Sequence, residues 1–495
     1  MTGRPTRPPG LHPLLVLTHR KECTFRAEGS VDMPKLTMES LIHPKKEEGK
    51  MAQEMKKQWT VMVYLAGDNN LDSAGVVDLK EMKKVGSTKE INVIVQFDRE
   101  GKDMATNRYY IQKGGALAKD KVASLGETNM GDPGVLRDFI KWGIAHYPAR
   151  HYLLVVWNHG NGWDDENVYR VARNSLKLNI RRRGDVVLPI SGAGDSVSIR
   201  RIRAIGGKKF RRALFSTSIT KAVTTRGIAY DDNAQDFLDN IEMKRVLSST
   251  KRLLKAKVDI LGMDACMMNM AEVGYQLRDS VSLMVGSEEV EPGDGWPYDR
   301  ILAKLAKKPA MTPNELAVTI VNEYISSYPA NAGVTQSACD LAKSGLLAGA
   351  VDQLAKALNS NLPDATVRGT IVECRLQAQA YDTPDYVDLY DFCDLLDAKS
   401  GVTEIKAACN TVKKAIQADG FVIKSSYKGK AVEHSKGLSI YFPQGKLSML
   451  YGTLDFAKKT AWKTFLQGYM SSMRRPGRGC VAIGNKTIPN GCEES

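Results

Sequence analysis

A cysteine and a histidine in this chain have the type and the setting needed for nucleophilic acyl chemistry. Cys266 follows Val258 to Met263, an apolar run of strand length. The chain then passes Asp264 and Ala265 and continues with helical apolar spacing through Met267, Met270, Ala271 and Gly274. The pattern predicts Cys266 where a buried parallel strand ends and a helix begins, and the positive end of a helix dipole favours thiolate there. On its own such a cysteine is more often a buried structural residue. A second stretch has the same build: Leu153 to Trp157 is an apolar strand that runs into Asn158-His159-Gly160-Asn161-Gly162-Trp163. Ligands bind at the carboxyl ends of strands in open parallel α/β sheets, so His159 and Cys266 can meet in that crevice. His159 would take the thiol proton and later give one to a leaving amine. Gly160 lets a substrate carbonyl approach the backbone, so its N–H and that of Cys266 form a candidate oxyanion hole.

The elements that must position these residues follow a β-α-β-α-β pattern. Trp59 to Ala66 reads as a first strand, Asp68-Asn69-Asn70 as a turn and cap, Leu71 to Val85 as a helix, and Ile91 to Phe97 as a second strand. Arg108 to Gln112 reads as a short edge strand, and Asp132-Pro133 caps a helix to about Tyr147. A mostly parallel sheet with helices on both faces is expected. Regular pattern returns at Asp231-Asp232-Asn233 with a helix to about Leu254. It continues with the Cys266 strand, another strand from Val281 to Gly286, and helices at about Tyr298 to Lys307 and Pro313 to Ser327. Residues 329–436 read as mainly helical. Gly437 to Phe442 reads as a last strand returning to the sheet.

Five separated motifs carry a resemblance. They are Tyr64-Leu65-Ala66-Gly67-Asp68-Asn69-Asn70-Leu71, Trp157-Asn158-His159-Gly160, Tyr230-Asp231-Asp232, Asp264-Ala265-Cys266-Met267-Met268 and Gly437-Leu438-Ser439-Ile440-Tyr441-Phe442-Pro443. In this order they resemble the clostripain family of caspase-like cysteine peptidases, from about Trp59 to about Phe465. The resemblance implies a caspase-like α/β/α sandwich with a mostly parallel central sheet, followed by a mainly helical C-terminal region. It implies a cysteine endopeptidase, with Cys266 and His159 as the catalytic dyad, acting on peptides or proteins after Arg or Lys. Asp264 is by default an N-cap and Asp294 a turn residue; by resemblance both line the pocket for the substrate residue before the scissile bond. Two carboxylates in one pocket repel unless a cation lies between them, and a substrate Arg or Lys supplies one. Trp163 and Trp296 wall the site or pack in the core. No cofactor is expected. The resemblance leaves a calcium requirement open, and no EF-hand loop occurs in the sequence.

The bulk numbers narrow the classes. A chain of 495 residues with 43% hydrophobic and 25% charged residues is a globular protein of two or three domains. Its eight cysteines are scattered, without CxxC or zinc-site spacing, though Cys480 and Cys492 could pair in an oxidising compartment. No apolar run reaches the length of a membrane span, and Leu11 to Thr18, broken by Pro13, makes a poor secretory segment. The net charge of +14 suggests nucleic acid, but residues 170–226 hold 15 Lys/Arg against 2 Asp/Glu, and the rest of the body is near neutral. A nucleic-acid-binding protein using that arm is the rival reading, weakened because aromatics for base stacking are nearly absent from it. An inactive peptide-binding pseudo-peptidase is a third. No nucleic-acid or membrane partner is expected.

The chain thus divides into residues 1–50, a disordered leader or a start placed ahead of a true one at Met51; 51–168, the first part of a catalytic domain; 169–227, a basic insert; 228–328, its second part; 329–474, a helical region returning a strand to the sheet; and 475–495, a flexible tail. Relatives mature by self-cleavage in the interval between His159 and Cys266, which implies a zymogen cut in the insert. Arg173, Arg212, Lys221 and Arg226 are candidate cut points. Arg226 is favoured because ordered pattern resumes just after it. The expected product is a monomer of two associated chains, because strands of both belong to one buried sheet.

Overall fold

Strands buried on both faces need continuous apolar runs, and the computed structural model lays five such runs side by side. The structure describes residues 56–69, 71–100, 104–160, 162–163, 213–216, 237–417 and 420–473. The strands are β1 (Lys57–Gly67), β2 (Ile91–Arg99), β3 (Asn107–Tyr110), β4 (Lys121–Ser124), β5 (Ala149–Trp157), β6 (His159–Gly160) and β7 (Ala213–Ser216). The later ones are β8 (Phe237–Asp239), β9 (Val258–Asp264), β10 (Val281–Gly286), β11 (Val334–Asp340), β12 (Tyr386–Asp388), β13 (Val422–Lys428) and β14 (Ser439–Tyr441). Among the described residues the main sheet runs β13-β11-β10-β9-β5-β1-β2-β3-β4. Its middle, β10 to β2, is parallel. Both margins are antiparallel.

Helices cover both faces. On one lie α1 (Asp72–Val85), α5 (Tyr298–Lys307) and α6 (Pro313–Ser327), which bury Leu79, Leu305, Ile320 and Tyr324 against Val63, Val95 and Val155. On the other lie α2 (Pro133–His146), α3 (Asn240–Leu254) and α4 (Ala271–Leu277), which bury Phe139, Leu247 and Val273 against Leu154, Met263 and Met284. The C-terminal helices α7 (Ser344–Asn361), α8 (Ala365–Gln377), α9 (Leu389–Lys399), α10 (Thr403–Ile416), α11 (Asp455–Lys459) and α12 (Trp462–Met473) extend this second layer. The α/β/α sandwich expected from the sequence is present. No helix among the described residues is long and apolar enough to cross a membrane.

The structure corrects several sequence readings. The segment around Gly437 does not rejoin the central sheet: β14 pairs with β12 in a two-stranded sheet of its own. The returning strand is β13, whose Lys, Ser and Tyr residues hide it from a search for apolar runs, and it lies at the margin where a half-exposed strand suffices. The stretch read as mainly helical also holds β11 and β12. The strand near Arg108 is not the edge, because β4 pairs outside it. The helix to Leu254 begins at Asn240, where Asp239 and Glu242 form a reciprocal capping box. The Asp132-Pro133 cap stands as expected, with the Asp132 side chain accepting from the Gly134 N–H at 2.6 Å.

Candidate active site

Strand register sets the site. Trp157 on β5 pairs with Asp264 on β9, and the Asn158 N–H donates to the Asp264 carbonyl at 3.3 Å. His159 and Cys266 each stand two residues beyond that pair, so the parallel register carries them out side by side. Both line one cavity of about 20 Å³, with Leu71, Asn158, Asp264, Glu291 and Gly295 in its wall. That is room for roughly one water molecule. Gly160 has no space for a side chain: a Cβ there would come within 2.5 Å of the Cys266 carbonyl oxygen and 3.0 Å of the Ala265 Cβ.

Cys266 is buried, and its Sγ accepts from the Glu291 N–H at 3.3 Å. The chain does not enter a helix at once. Met267 takes the left-handed conformation at φ 56°, a strained state for a non-glycine residue. The helix begins at Ala271, with Met270 as its N-cap. This separates Cys266 from the helix and weakens the dipole argument made from the sequence. The turn is instead held by its neighbours. The Met267 N–H donates to the Glu289 carbonyl at 3.1 Å and the Asn269 N–H to Ser287 at 2.9 Å. The Asn269 side chain donates to the Gly437 carbonyl at 2.7 Å. The sequence motif at Gly437 thus supports the cysteine turn and not the main sheet.

His159 is buried, and burial pushes its imidazole down to about 4, so the ring is neutral at physiological pH. Asn158 accepts the His159 backbone N–H at 2.5 Å and donates to the Ala66 carbonyl at 2.9 Å. It fixes the backbone that carries the imidazole. The three-residue strand β8 and the strand β7 build a small antiparallel sheet on β6, with Ser216 opposite His159 and Phe215 opposite Gly160.

Asp264 is not an N-cap. It closes β9, and its Oδ2 accepts from the Tyr298 hydroxyl at 2.8 Å and the Trp296 N–H at 3.3 Å. Asp294 is half-buried in a turn closed by the Gly295 N–H on the Pro292 carbonyl at 3.0 Å, and it stands outside the cavity lining. Glu291, which the sequence reading did not single out, lines the cavity beside Asp264. Its only sequence signal was membership of the acidic loop after β10. Trp296 packs against Gly262, and Trp163 packs on Tyr441 with ring centroids 4.7 Å apart, so both are core residues. Arg173, Arg212, Lys221 and Arg226 lie outside the described residues, as do Cys480 and Cys492. Away from the dyad, Asp68, Asp98 and Glu127 each offer a carboxylate oxygen, all within 4.8 Å of one another. These are hard oxygen donors of the kind calcium takes.

A cysteine and a histidine are buried at the ends of adjacent parallel strands in a three-layer α/β/α fold, the arrangement that a thiol nucleophile and its base require. The sequence profile of the clostripain family matches residues 63–175 and 217–469, so the chain belongs to the clostripain family. Clostripain of Hathewaya histolytica is 25% identical over 450 residues, which span 78% of this chain and 74% of that protein. The fold is shared with two solved structures. One is a secreted C11 cysteine protease of Bacteroides thetaiotaomicron bound to an irreversible peptide inhibitor, 19% identical, at a TM-score of 0.52 over 83% of this chain and 99% of that one. The other is an inactive zymogen C11 protease of Parabacteroides distasonis, also 19% identical, at a TM-score of 0.52 over 82% and 98%. The protein is therefore a cysteine protease of this family, acting on peptide or protein substrates.

Proposed function

We propose that the protein is an endopeptidase cutting after Arg or Lys, made as an inactive single chain and matured by cutting itself between His159 and Cys266. The observation that carries the reading is that Asp264 and Cys266 line one cavity with His159. A buried carboxylate there would meet a basic side chain while the scissile carbonyl lies at the thiol. Neutral His159 takes the Sγ proton, and the thiolate attacks the carbonyl carbon. The oxyanion rests on the N–H groups of Gly160 and Cys266. Collapse expels the amine, which takes the proton from His159. Water, deprotonated by His159, then cleaves the thioester, and the thiol returns.

Two features support the zymogen reading. The cavity is narrow, and Gly293 and Gly295 give the turn from Glu291 to Trp296 freedom to widen it as substrate enters. The strand β7, which follows Arg212 directly in sequence, runs antiparallel to His159 and Gly160. Arg226 is the favoured cut. Purified wild-type protein should run as two bands on a denaturing gel and as one species on sizing, and Cys266→Ala as one chain. Identical fragments from Cys266→Ala, in a host lacking the wild-type enzyme, would assign the cut to another protease.

A further inference from the structure

Three residues past Cys266, Asn269 is fully buried and stands outside the cavity lining, and no step of the mechanism above uses it. Every polar group it owns is nonetheless engaged. Its backbone N–H donates to the Ser287 carbonyl at 2.9 Å, and its carbonyl accepts from the Ser439 N–H at 3.1 Å. The side-chain Nδ2 donates to the Gly437 carbonyl at 2.7 Å and to the Ser337 hydroxyl. Ser337 in turn donates to the same Gly437 carbonyl at 2.8 Å. Burial pushes the Cys339 thiol up to about 12, so it keeps its proton, and its Sγ donates to the Asn269 Oδ1 at 3.6 Å. One buried residue thus ties the cysteine turn to the loop after β10, to β11 and to the chain entering β14.

The acceptor of that amide is itself fixed. Gly437 has φ 101°, and a Cβ there would come within 2.6 Å of the Ser425 Cβ and 3.1 Å of the Ser337 Cβ, so glycine alone brings this peptide so close to β11 and β13. The Gly437 N–H donates to the Glu288 carboxyl at 3.0 Å. Glu288 follows the serine whose carbonyl holds the Asn269 N–H, so the contacts close into a ring. The turn that the ring holds is strained. Met267 lies between Cys266 and Asn269 at φ 56°. That conformation is costly for a residue with a side chain and persists only where the surroundings over-determine it. Strand β9 sets the near end of the turn, and the Glu289 carbonyl holds the Met267 N–H. Asn269 sets the far end. The aim of the Cys266 Sγ, which accepts from the Glu291 N–H, and of the Cys266 N–H follows from that conformation.

We propose that Asn269 is the positioning residue of the nucleophile: its side-chain amide holds Met267 left-handed and so aims the Cys266 sulfur and N–H at the scissile carbonyl. This deepens the reading of Cys266 as the nucleophile and rests on it, but not on the Arg/Lys preference. The backbone bonds of Met267 and Asn269 do not depend on the Asn269 side chain. Asn269→Ala therefore keeps the outline of the turn and loses the clamp that opposes the strain. Met267→Gly removes the strain itself, so the clamp should matter less in that background.

The test measures kcat and KM on a fluorogenic arginyl peptide and on its citrulline analogue, which has the same shape without the charge. Wild type, Asn269→Ala, Met267→Gly and Asn269→Ala/Met267→Gly are compared, with a melting curve for each. Asn269→Ala should lower kcat about 100-fold on both peptides, as a misplacement of about 1 Å does, and leave KM within about threefold. In the Met267→Gly background the same substitution should cost about tenfold or less. A side chain that only stabilises the fold would change kcat equally in both backgrounds, and that result overturns the proposal. Wild-type kcat in Asn269→Ala, a change confined to KM, or a loss on the arginyl peptide alone overturns it as well. Cys266→Ala is assayed alongside. Hydrolysis retained there overturns the nucleophile and this role with it; hydrolysis lost there but unimpaired in Asn269→Ala overturns the positioning role alone. Should Asn269→Ala fail to fold, Ser337→Ala removes the hydroxyl that joins the amide to the Gly437 carbonyl. It should lower kcat about tenfold in the wild-type background and by less than about threefold in Met267→Gly; equal losses in the two backgrounds, or none in either, overturn the proposal.

Discussion

Replacing Asp264 by Asn removes one charge from the pocket and almost no volume. The side chain is 4% exposed and accepts two hydrogen bonds, from the Tyr298 hydroxyl and the Trp296 N–H. Both fall on Oδ2, and the amide oxygen of Asn in that place can keep both, so the fold should survive and the melting temperature should move by only a few degrees. A charge-assisted contact in a desolvated pocket is worth about 2–4 kcal/mol. That corresponds to a loss of about 30- to 1,000-fold in kcat/KM for an arginyl peptide. Glu291 complicates the number in a definite direction. It loses the neighbouring charge that helps hold its proton and ionises more readily, so it replaces part of the lost charge. The single variant should therefore fall near the lower end of the range, and Asp264→Asn/Glu291→Gln near the upper. The assay is kcat/KM for matched arginyl and citrullyl fluorogenic peptides, with a melting curve for each variant. Only the arginyl substrate should suffer. An equal loss on both peptides would mean that the substitution disturbed Cys266 and not the pocket. No loss on either would place the specificity pocket elsewhere.

Two further substitutions test the packing that holds the site. Gly160→Ala puts a methyl group 2.5 Å from the Cys266 carbonyl oxygen; separating the two strand ends should lower kcat/KM by about 100-fold on arginyl and citrullyl peptides alike, and wild-type turnover would contradict the close approach. Glu272 on α4 is buried, and burial pushes its carboxyl up to about 7 while it accepts from the Tyr441 N–H and the Tyr451 hydroxyl. Because the folded-state value is raised, the folded protein holds this proton more tightly than the unfolded chain. The stability so contributed is complete below about pH 4.5 and is lost as pH rises through about 7, to a limit of about 3 kcal/mol. Glu272→Gln keeps the acceptor oxygen and cannot ionise, so scanning calorimetry should find it more stable than wild type near pH 8 and little changed near pH 4.5; the reverse order would refute the burial argument.

The chemistry-bearing residues were legible where local pattern and topology agree. Leu153 to Trp157 and Val258 to Met263 are buried on both faces, so they read as continuous apolar runs, and the rule for parallel sheets placed His159 and Cys266 at one edge. Side-chain partners set by long-range packing were not legible. Nothing local marks Glu291 as the acid beside Asp264, because the turn from Pro292 to Gly295 carries Asp294 out of the cavity lining and leaves Glu291 inside it. The helix expected directly after Cys266 failed for a related reason. The apolar spacing of Met267 and Met268 reflects burial in an irregular turn pinned by Ser287, Glu289 and Gly437, and periodicity cannot separate such a turn from a helix. The strand β13 escaped because a marginal strand tolerates Lys and Ser on its open side.

The central claim is that Cys266 is the nucleophile and His159 its base, and covalent labelling tests it most directly. Wild-type enzyme is treated with an irreversible arginyl chloromethyl ketone, and the adduct is located by mass spectrometry of its peptides. The account predicts one adduct per molecule on the Cys266 sulfur, none on Cys266→Ala, and much slower labelling of His159→Ala, with peptide hydrolysis lost in step with labelling. An adduct on any of the other seven cysteines, or undiminished hydrolysis of an arginyl peptide by Cys266→Ala, would contradict it.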